Sequence, residues 1–398
     1  MPVKIGLITG EFPPMEGGVG AFTQEVAREL ACLGHDVHIL TSRAARPQME
    51  DANFRELTQP VALPFATLYP FIRKWRWPAL AEVTDWVIRQ RLELVNIQYQ
   101  AAAYEMRSPA VNLLPWRLRG VVKTAVTFHD LRVPYLFPKA GRLRETAVYF
   151  MAKQANGVIV TNQADYEALR RVGVAAACLR QIPIGSNITT HMPTADEIAA
   201  ARAALGLTAA HHLLGYFGFL NESKGADTLL AALAALDAQT HLLFIGGQTG
   251  SSDATNQAFL AQMRAQITAL GLDARVHWTG FVPDERVSTF LHAADVMVMP
   301  YRDGVSLRRG TLMAVLAHGR PLITTLPLTP TPELAHGEQA WLVPPDDVAA
   351  LAQAMRTLLG DVSLRQRLGA GAAQVAELFT WDKIVGETAV FFDELLQK

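Results

Sequence analysis

Short apolar strands alternate with helical patterns along almost the whole chain, in two successive series. The first series reads Val3–Thr9, Val37–Thr41, Leu94–Gln98, Thr124–Phe128, Gly157–Thr161 and Gln181–Ile184. The second reads Leu213–Phe217, His241–Gly246, Val276–Thr279, Val296–Met299, Pro321–Thr325 and Ala340–Val343. Strands that are apolar throughout, and rich in β-branched residues, suit sheets buried on both faces. Such strands joined by helices imply parallel pairing with right-handed crossovers. The prediction is an α/β protein of two doubly wound parallel sheets facing across a cleft, the natural ligand site. Ser186 to about Gly206 has no strand pattern and reads as a linker, giving domains 1–190 and 205–380.

Length and composition agree with that division. A chain of 398 residues exceeds one ordinary core. Half the residues are apolar and 18% are charged, a globular rather than disordered composition. No apolar run is long enough to predict a membrane span. MPVKIGLITG enters a strand directly, without the pattern of a signal peptide, so a cytoplasmic location is expected. Cys32 and Cys178 lack metal spacing and read as buried small hydrophobes in a reducing compartment. Residues 1–190 hold 22 Lys+Arg against 16 Asp+Glu, and residues 191–398 hold 14 against 21. A basic first half favours an anionic acceptor, a phosphorylated substrate or an anionic membrane surface.

Two strand-to-helix turns carry candidate chemistry. The first strand runs into TGEFPPMEGGVG, placing Gly17, Gly18 and Gly20 where a loop enters a helix. Backbone N–H groups there suit a diphosphate; the alternative is a tight turn with close helix–sheet contact. The spacing is not that of a dinucleotide fingerprint. The second turn lies between Val296–Met299 and Pro321, where a loop bearing Ser306, Arg308, Arg309 and Gly310 leads into a small-residue helix. Open α/β sheets bind ligands at such carboxyl ends of strands.

Pro13-Pro14, Gly17-Gly18-Val19 and Gly34-His35-Asp36-Val37 share one βα unit, and with them the chain resembles family 4 glycosyltransferases. Further matches follow in the same order. They include Thr127-Phe128-His129-Asp130, Gly218 with Lys224-Gly225, and Gly280-Phe281-Val282-Pro283. Ala317-His318-Gly319-Arg320-Pro321, Pro332-Glu333-Leu334 and Phe379-Thr380-Trp381 complete the set, which covers nearly the whole chain.

The resemblance implies the GT-B fold, with two Rossmann-like domains and a last helix, about 383–398, returning to the first. It implies retaining transfer from a nucleotide-diphosphate sugar as co-substrate, with no bound metal and no other cofactor. It puts the donor on the second domain and a carbohydrate or lipid-linked acceptor on the first. A nucleic-acid partner is not expected.

Carried over by resemblance, Lys224 holds the diphosphate and, with His129, forms the catalytic pair. His129 and Asp130 lie on the acceptor side; Ser306, Phe281, Val282 and Gly310 contact donor sugar or nucleoside. Three departures stand out. Phe219 replaces an arginine usual after the glycine at 218, and Ser306 and Ala314 replace a pair of glutamates eight residues apart. Arg308 and Arg309 stand where small or apolar residues are usual, and one of them is expected to replace the missing arginine. Asp303 and Glu222 are candidates for reading sugar hydroxyls in place of the glutamates.

Bland readings stay open beside these. Lys224 suits a solvated helix start, Arg308 and Arg309 a surface pair, and His129 a structural strand end. Phe71–Trp77 interleaves aromatics with cations, which fits either contact with an anionic bilayer or a loop whose tryptophans fold inward. The lost glutamates leave a catalytically degenerate nucleotide-sugar-binding protein as an alternative, and a nucleotide-sugar epimerase of the same fold is a third reading that the motif set fits less well.

Overall fold

The computed structural model describes residues 2–15, 17–46, 59–104, 108–131, 141–186, 188–247 and 254–398. The chain divides into two compact units, Met1–Ile184 with Trp381–Lys398, and Gly185–Thr380.

The first unit holds eight strands: β1 Lys4–Thr9, β2 Asp36–Ser42, β3 Val61–Ala62, β4 Thr67–Ile72, β5 Leu94–Tyr99, β6 Lys123–Phe128, β7 Gly157–Val160 and β8 Leu179–Gln181. Its helices are α1 Gly18–Cys32, α2 Trp77–Gln90, α3 Leu114–Arg117, α4 Gly141–Gln154, α5 Gln163–Arg171 and, from the far end of the chain, α13 Trp381–Gln397. The sheet order is β3-β4-β2-β1-β5-β6-β7-β8. All pairs are parallel except β3 with β4. The strand order turns back on itself between β1 and β5, so a crevice opens at their carboxyl ends.

The second unit holds β9 His212–Phe217, β10 Thr240–Ile245, β11 Val276–Trp278, β12 Val296–Met299, β13 Leu322–Thr325 and β14 Trp341–Val343. Its helices are α6 Ala195–Ala204, α7 Ala226–Ala234, α8 Ala254–Ala269, α9 Asp284–Ala293, α10 Gly310–Ala317, α11 Val348–Gly360 and α12 Val362–Ala376. The order β11-β10-β9-β12-β13-β14 is parallel throughout and reverses between β9 and β12. Leu214, Leu242, Val296, Val298 and Ile323 are wholly enclosed, as strands covered on both faces require.

The structure departs from the sequence reading in four places. The segment read as a linker carries α6, closed by a capping box between Thr194 and Glu197. Strands β3 and β4 had no counterpart; Pro70 inside β4 disguised it. Pro70 is tolerated because β3 covers β4 only at Thr67 and Leu68, leaving Pro70 at an open edge. The last strand of the first unit ends at Gln181, earlier than expected, although Ile182 still donates to the Val160 carbonyl at 2.9 Å. Cys32 is exposed and Cys178 half-buried, so neither is the core residue expected.

Candidate active site

The carboxyl ends of β9 and β12 bring one cluster together. Gly218 leaves β9 at φ +116°, and a Cβ there would stand 2.8 Å from the Thr311 methyl and 3.3 Å from Lys224 Nζ. Glycine is therefore needed for both the dihedral and the approach. Gly225, at φ +66°, presses its Cα against the Pro300 carbonyl at the end of β12, so a side chain there would collide with backbone. The two glycines set Lys224 between strands rather than in solvent.

Lys224 Nζ donates to the Phe219 carbonyl at 2.7 Å. Burial, aided by the positive charge of Arg309, lowers its pKa from the usual 10.5 to about 7. An ammonium has three donors, so two remain for an anion. Arg309 is the N-cap residue of α10 and makes no side-chain cap. Its guanidinium pairs with Asp303 and lies over the Tyr301 ring, 4.0 Å from the centroid. Its Nε is buried without a hydrogen-bond partner. Two cations thus share one half-buried corner beside the first N–H groups of a helix. Arg308 is half-buried in the same loop.

Phe219 is half-buried with its ring edge packed over Gly247. Ser306 is half-buried, and its carbonyl accepts the Arg309 N–H at 3.3 Å. Ala314 is fully buried within α10, whose residues Leu312 to Leu316 are all buried. An acidic side chain at 314 would be desolvated, and alanine avoids that cost. Phe281 is 76% exposed and Val282 half-buried, in the loop after β11 at the same edge of the sheet. Of the two proposed hydroxyl readers, Asp303 is engaged by Arg309, and Glu222 lies 3.5 Å from Arg302 with its side chain largely in solvent.

Arg302 was not legible as important. Its guanidinium joins Asp227 at the start of α7, Asp346 before α11 and Glu222, while its N–H donates to the Ser223 carbonyl. It staples the loop after β12 to the Lys224 turn. The only sequence signal is a cation immediately beyond an apolar strand.

In the first unit, His129 directly follows β6 and its N–H donates to the Tyr99 carbonyl at 3.0 Å. Its Nε2 meets Gln98 Oε1 at 3.0 Å, and Gln98 in turn donates through Nε2 to Asn96 Oδ1. With the amide nitrogen so committed, Gln98 offers oxygen to the ring, which assigns the proton to Nε2 and makes Nδ1 the acceptor. Burial lowers the His129 pKa from 6.5 to about 4, so the ring is neutral at pH 7. Phe22 stands edge-on to His129 at 4.7 Å and to Trp381 at 5.2 Å. Asp130 accepts from Gln100 Nε2 at 3.2 Å.

The glycine loop differs from the phosphate reading. Glu11 turns its carboxylate onto the start of α1, where Oε1 accepts from Val19 and Gly20 at 3.0 and 3.3 Å. Burial raises its pKa, and these two backbone bonds oppose the rise. A Cβ on Gly17 would collide with that carboxylate, whereas Gly18 has open space. Gly17 thus has a packing reason, and two of the N–H groups expected to face a diphosphate already hold an anion. An acid two residues after the strand was the available signal, but its direction depended on the loop. Among the described residues no group of three or more His, Cys, Asp or Glu is placed to hold a metal ion.

Residues 17–185 match the family described as glycosyl transferase 4-like domain, and residues 211–361 match glycosyl transferases group 1. The D-inositol 3-phosphate glycosyltransferase of Corynebacterium diphtheriae is 26% identical, over 96% of this chain and 92% of that protein. The enzyme of the same name from Jonesia denitrificans is 27% identical, over 92% and 88%. Among solved structures, sucrose-phosphate synthase from Thermosynechococcus elongatus aligns with TM-score 0.78 at 23% identity, covering 99% of each chain. Anabaena HepE in complex with UDP and glucose aligns with TM-score 0.76 at 19% identity, covering 98% of this chain and 99% of that one. Two end-to-end family matches on two parallel-sheet units make this chain a member of the type 4 and group 1 glycosyltransferases, an enzyme of the GT-B fold.

Proposed function

We propose that the protein transfers a sugar from a nucleoside-diphosphate donor with retention of anomeric configuration. One observation carries this reading: at the carboxyl edge of the second sheet Lys224 is buried beside Arg309 with one carbonyl as acceptor, so an anion there would offset both its burial and the neighbouring positive charge. The diphosphate lies on Lys224 and Arg309, with Arg308 in reach of the same loop, and on the first N–H groups of α10 from Gly310. Exposed Phe281 with Val282 offers a face to the nucleobase, and Ser306 one hydroxyl to the donor sugar. The UDP-bound relative HepE supports a nucleotide of this class.

In the transfer, the bond from the anomeric carbon to the diphosphate oxygen breaks and a bond to the acceptor oxygen forms. The acceptor proton passes to the leaving diphosphate, whose growing charge is stabilised by the two cations. Neutral His129 presents Nδ1 as an acceptor to a sugar or acceptor hydroxyl, and Asp130 stands beside it. The acceptor is a carbohydrate or a lipid-linked hydroxyl. The inositol phosphate acceptor implied by the names of the relatives is one candidate.

Incubation with a panel of nucleotide sugars, with NMR of the anomeric product, tests this reading. It predicts slow donor hydrolysis and a product of unchanged anomeric configuration. An inverted product sinks the retaining mechanism, and saturable donor binding with neither hydrolysis nor transfer returns the degenerate alternative.

A peripheral membrane contact rests on a separate observation. Trp75 is buried, its indole N–H donating to Ser42 Oγ at 2.9 Å, so one tryptophan of the basic segment folds inward. Trp77 and Trp116 are 59% and 51% exposed, with Arg73, Lys74, Arg76, Arg117 and Arg119 also exposed. No helix of the described residues is long and apolar enough to cross a membrane. Cosedimentation with phosphatidylglycerol vesicles is expected to fall with added salt and with Trp77→Ala; absence of binding removes the contact.

A further inference from the structure

The strands of the second sheet run parallel, so residues that precede β12 and β13 lie at the edge opposite Lys224 and Arg309. A cavity of about 590 Å³ opens at that opposite edge, between α6, the end of α9, the turn from α10 to β13, and α12. Its size is that of a small-molecule site. Arg202, Arg320 and Arg365 bring three guanidinium groups to it, and Asp295 is the one acid among its described lining residues. Asp295 Oδ2 already accepts from the Leu213 N–H at 2.7 Å and pairs with Arg202 at 3.4 Å. His292 adds no charge at pH 7, because burial lowers its pKa. A positive cavity has therefore been built into the acidic half of the chain.

The guanidinium groups are held in place. Arg202 donates to the carbonyls of Ala293 and His211, Arg320 to that of Ala294, and Arg365 to those of Leu358 and Leu359. Four of these five bonds cap the ends of α9 and α11, the fifth reaching the residue before β9, and together they account for part of each group, which has five donors in all. They leave Arg320 under-compensated: its Nε is buried without a partner. Burial lowers its pKa and Arg365 adds to that, against the pull of Asp295.

We propose that this cavity is a second anion site, which binds a phosphorylated small molecule through Arg320 and Arg365. It is separate from the donor site. The two are joined by α10, whose first residues follow Arg309 and whose end leads to Arg320, a helix of eight residues or roughly 12 Å. The buried run Leu312–Leu316 makes that helix a stiff connection between them.

Calorimetric titration of inorganic pyrophosphate into protein carrying Lys224→Ala and Arg309→Ala tests the proposal, since those changes weaken the phosphate grip at the other edge. Saturable binding is expected to persist. Adding Gln366→Glu is expected to weaken it roughly tenfold or more, by setting a negative charge at the rim without touching any arginine–carbonyl bond. Gln366 is exposed on α12, so this change leaves the core intact. Arg365→Gln, checked for an unchanged melting temperature, is expected to act in the same direction. No pyrophosphate binding in the parent double variant, or binding unaltered by Gln366→Glu, overturns the site.

Discussion

At the scale of single residues the site works through displaced protonation states. Lys224 titrates near pH 7 alone, and a bound diphosphate favours its charged form. Donor affinity should therefore be flat below pH 7 and fall above it, approaching tenfold per pH unit, with proton uptake on binding. Titration of UDP in buffers of differing ionisation enthalpy reads that proton directly; release of a proton, or none, contradicts the assignment. The sign for stability is opposite. A lysine with a lowered folded pKa is a cost to the ligand-free fold below pH 7, and the cost fades as pH rises through 7 towards 10.5. His129, with a folded pKa of about 4, makes the fold lose stability as pH falls from 6.5 towards 4. No limb near pH 6.5 in the kcat/KM profile should then belong to this ring. If such a limb exists and His129→Gln abolishes it, the neutral-acceptor role is wrong.

At the scale of elements, the loops are fixed by charge and the last helix by packing. Arg302 answers Asp227 and Asp346 across three segments. Arg302→Ala leaves two carboxylates without their cation and should cost about 1–3 kcal/mol in chemical unfolding. The last helix, α13, buries Phe391, Phe392 and Leu395 on the first unit, where Gly157 of β7 leaves room for Leu395. Phe391→Ala should cost about 3–5 kcal/mol. The partly exposed pair between Glu394 of the same helix and Arg180 of β8 should contribute less than about 1 kcal/mol. A smaller loss at Phe391 than at Glu394 would show that α13 is held by charge instead. The buried strands and most helices were legible in sequence because their apolar runs are continuous. Pro70 hid β4, and the polar, alanine-rich α6 showed no apolar stripe by which to see it.

At the scale of the whole molecule, the repeated strand–helix pattern and the order of weak motifs were enough to read two Rossmann-like units. What they could not show was which groups approach one another through loops. Arg309 beside Lys224 is such a contact, and on the proposed function it would supply, from the head of α10, the cation absent after Gly218. Glu11 on the head of α1 is another, and it gives the glycine loop a structural reason that spacing alone left open. Ala314 shows the reverse case, a fully buried position where an acidic side chain would be desolvated.

The most direct measurement is UDP affinity in the native protein and in Lys224→Ala, Arg309→Ala and Arg308→Ala, at pH 7 and low salt. Losing a charge-assisted hydrogen bond costs about 1.5–3 kcal/mol, so Lys224→Ala and Arg309→Ala should each weaken binding roughly ten- to a hundredfold, with a smaller loss at Arg308. Unchanged affinity in both Lys224→Ala and Arg309→Ala would contradict the account, because the diphosphate would then lie elsewhere.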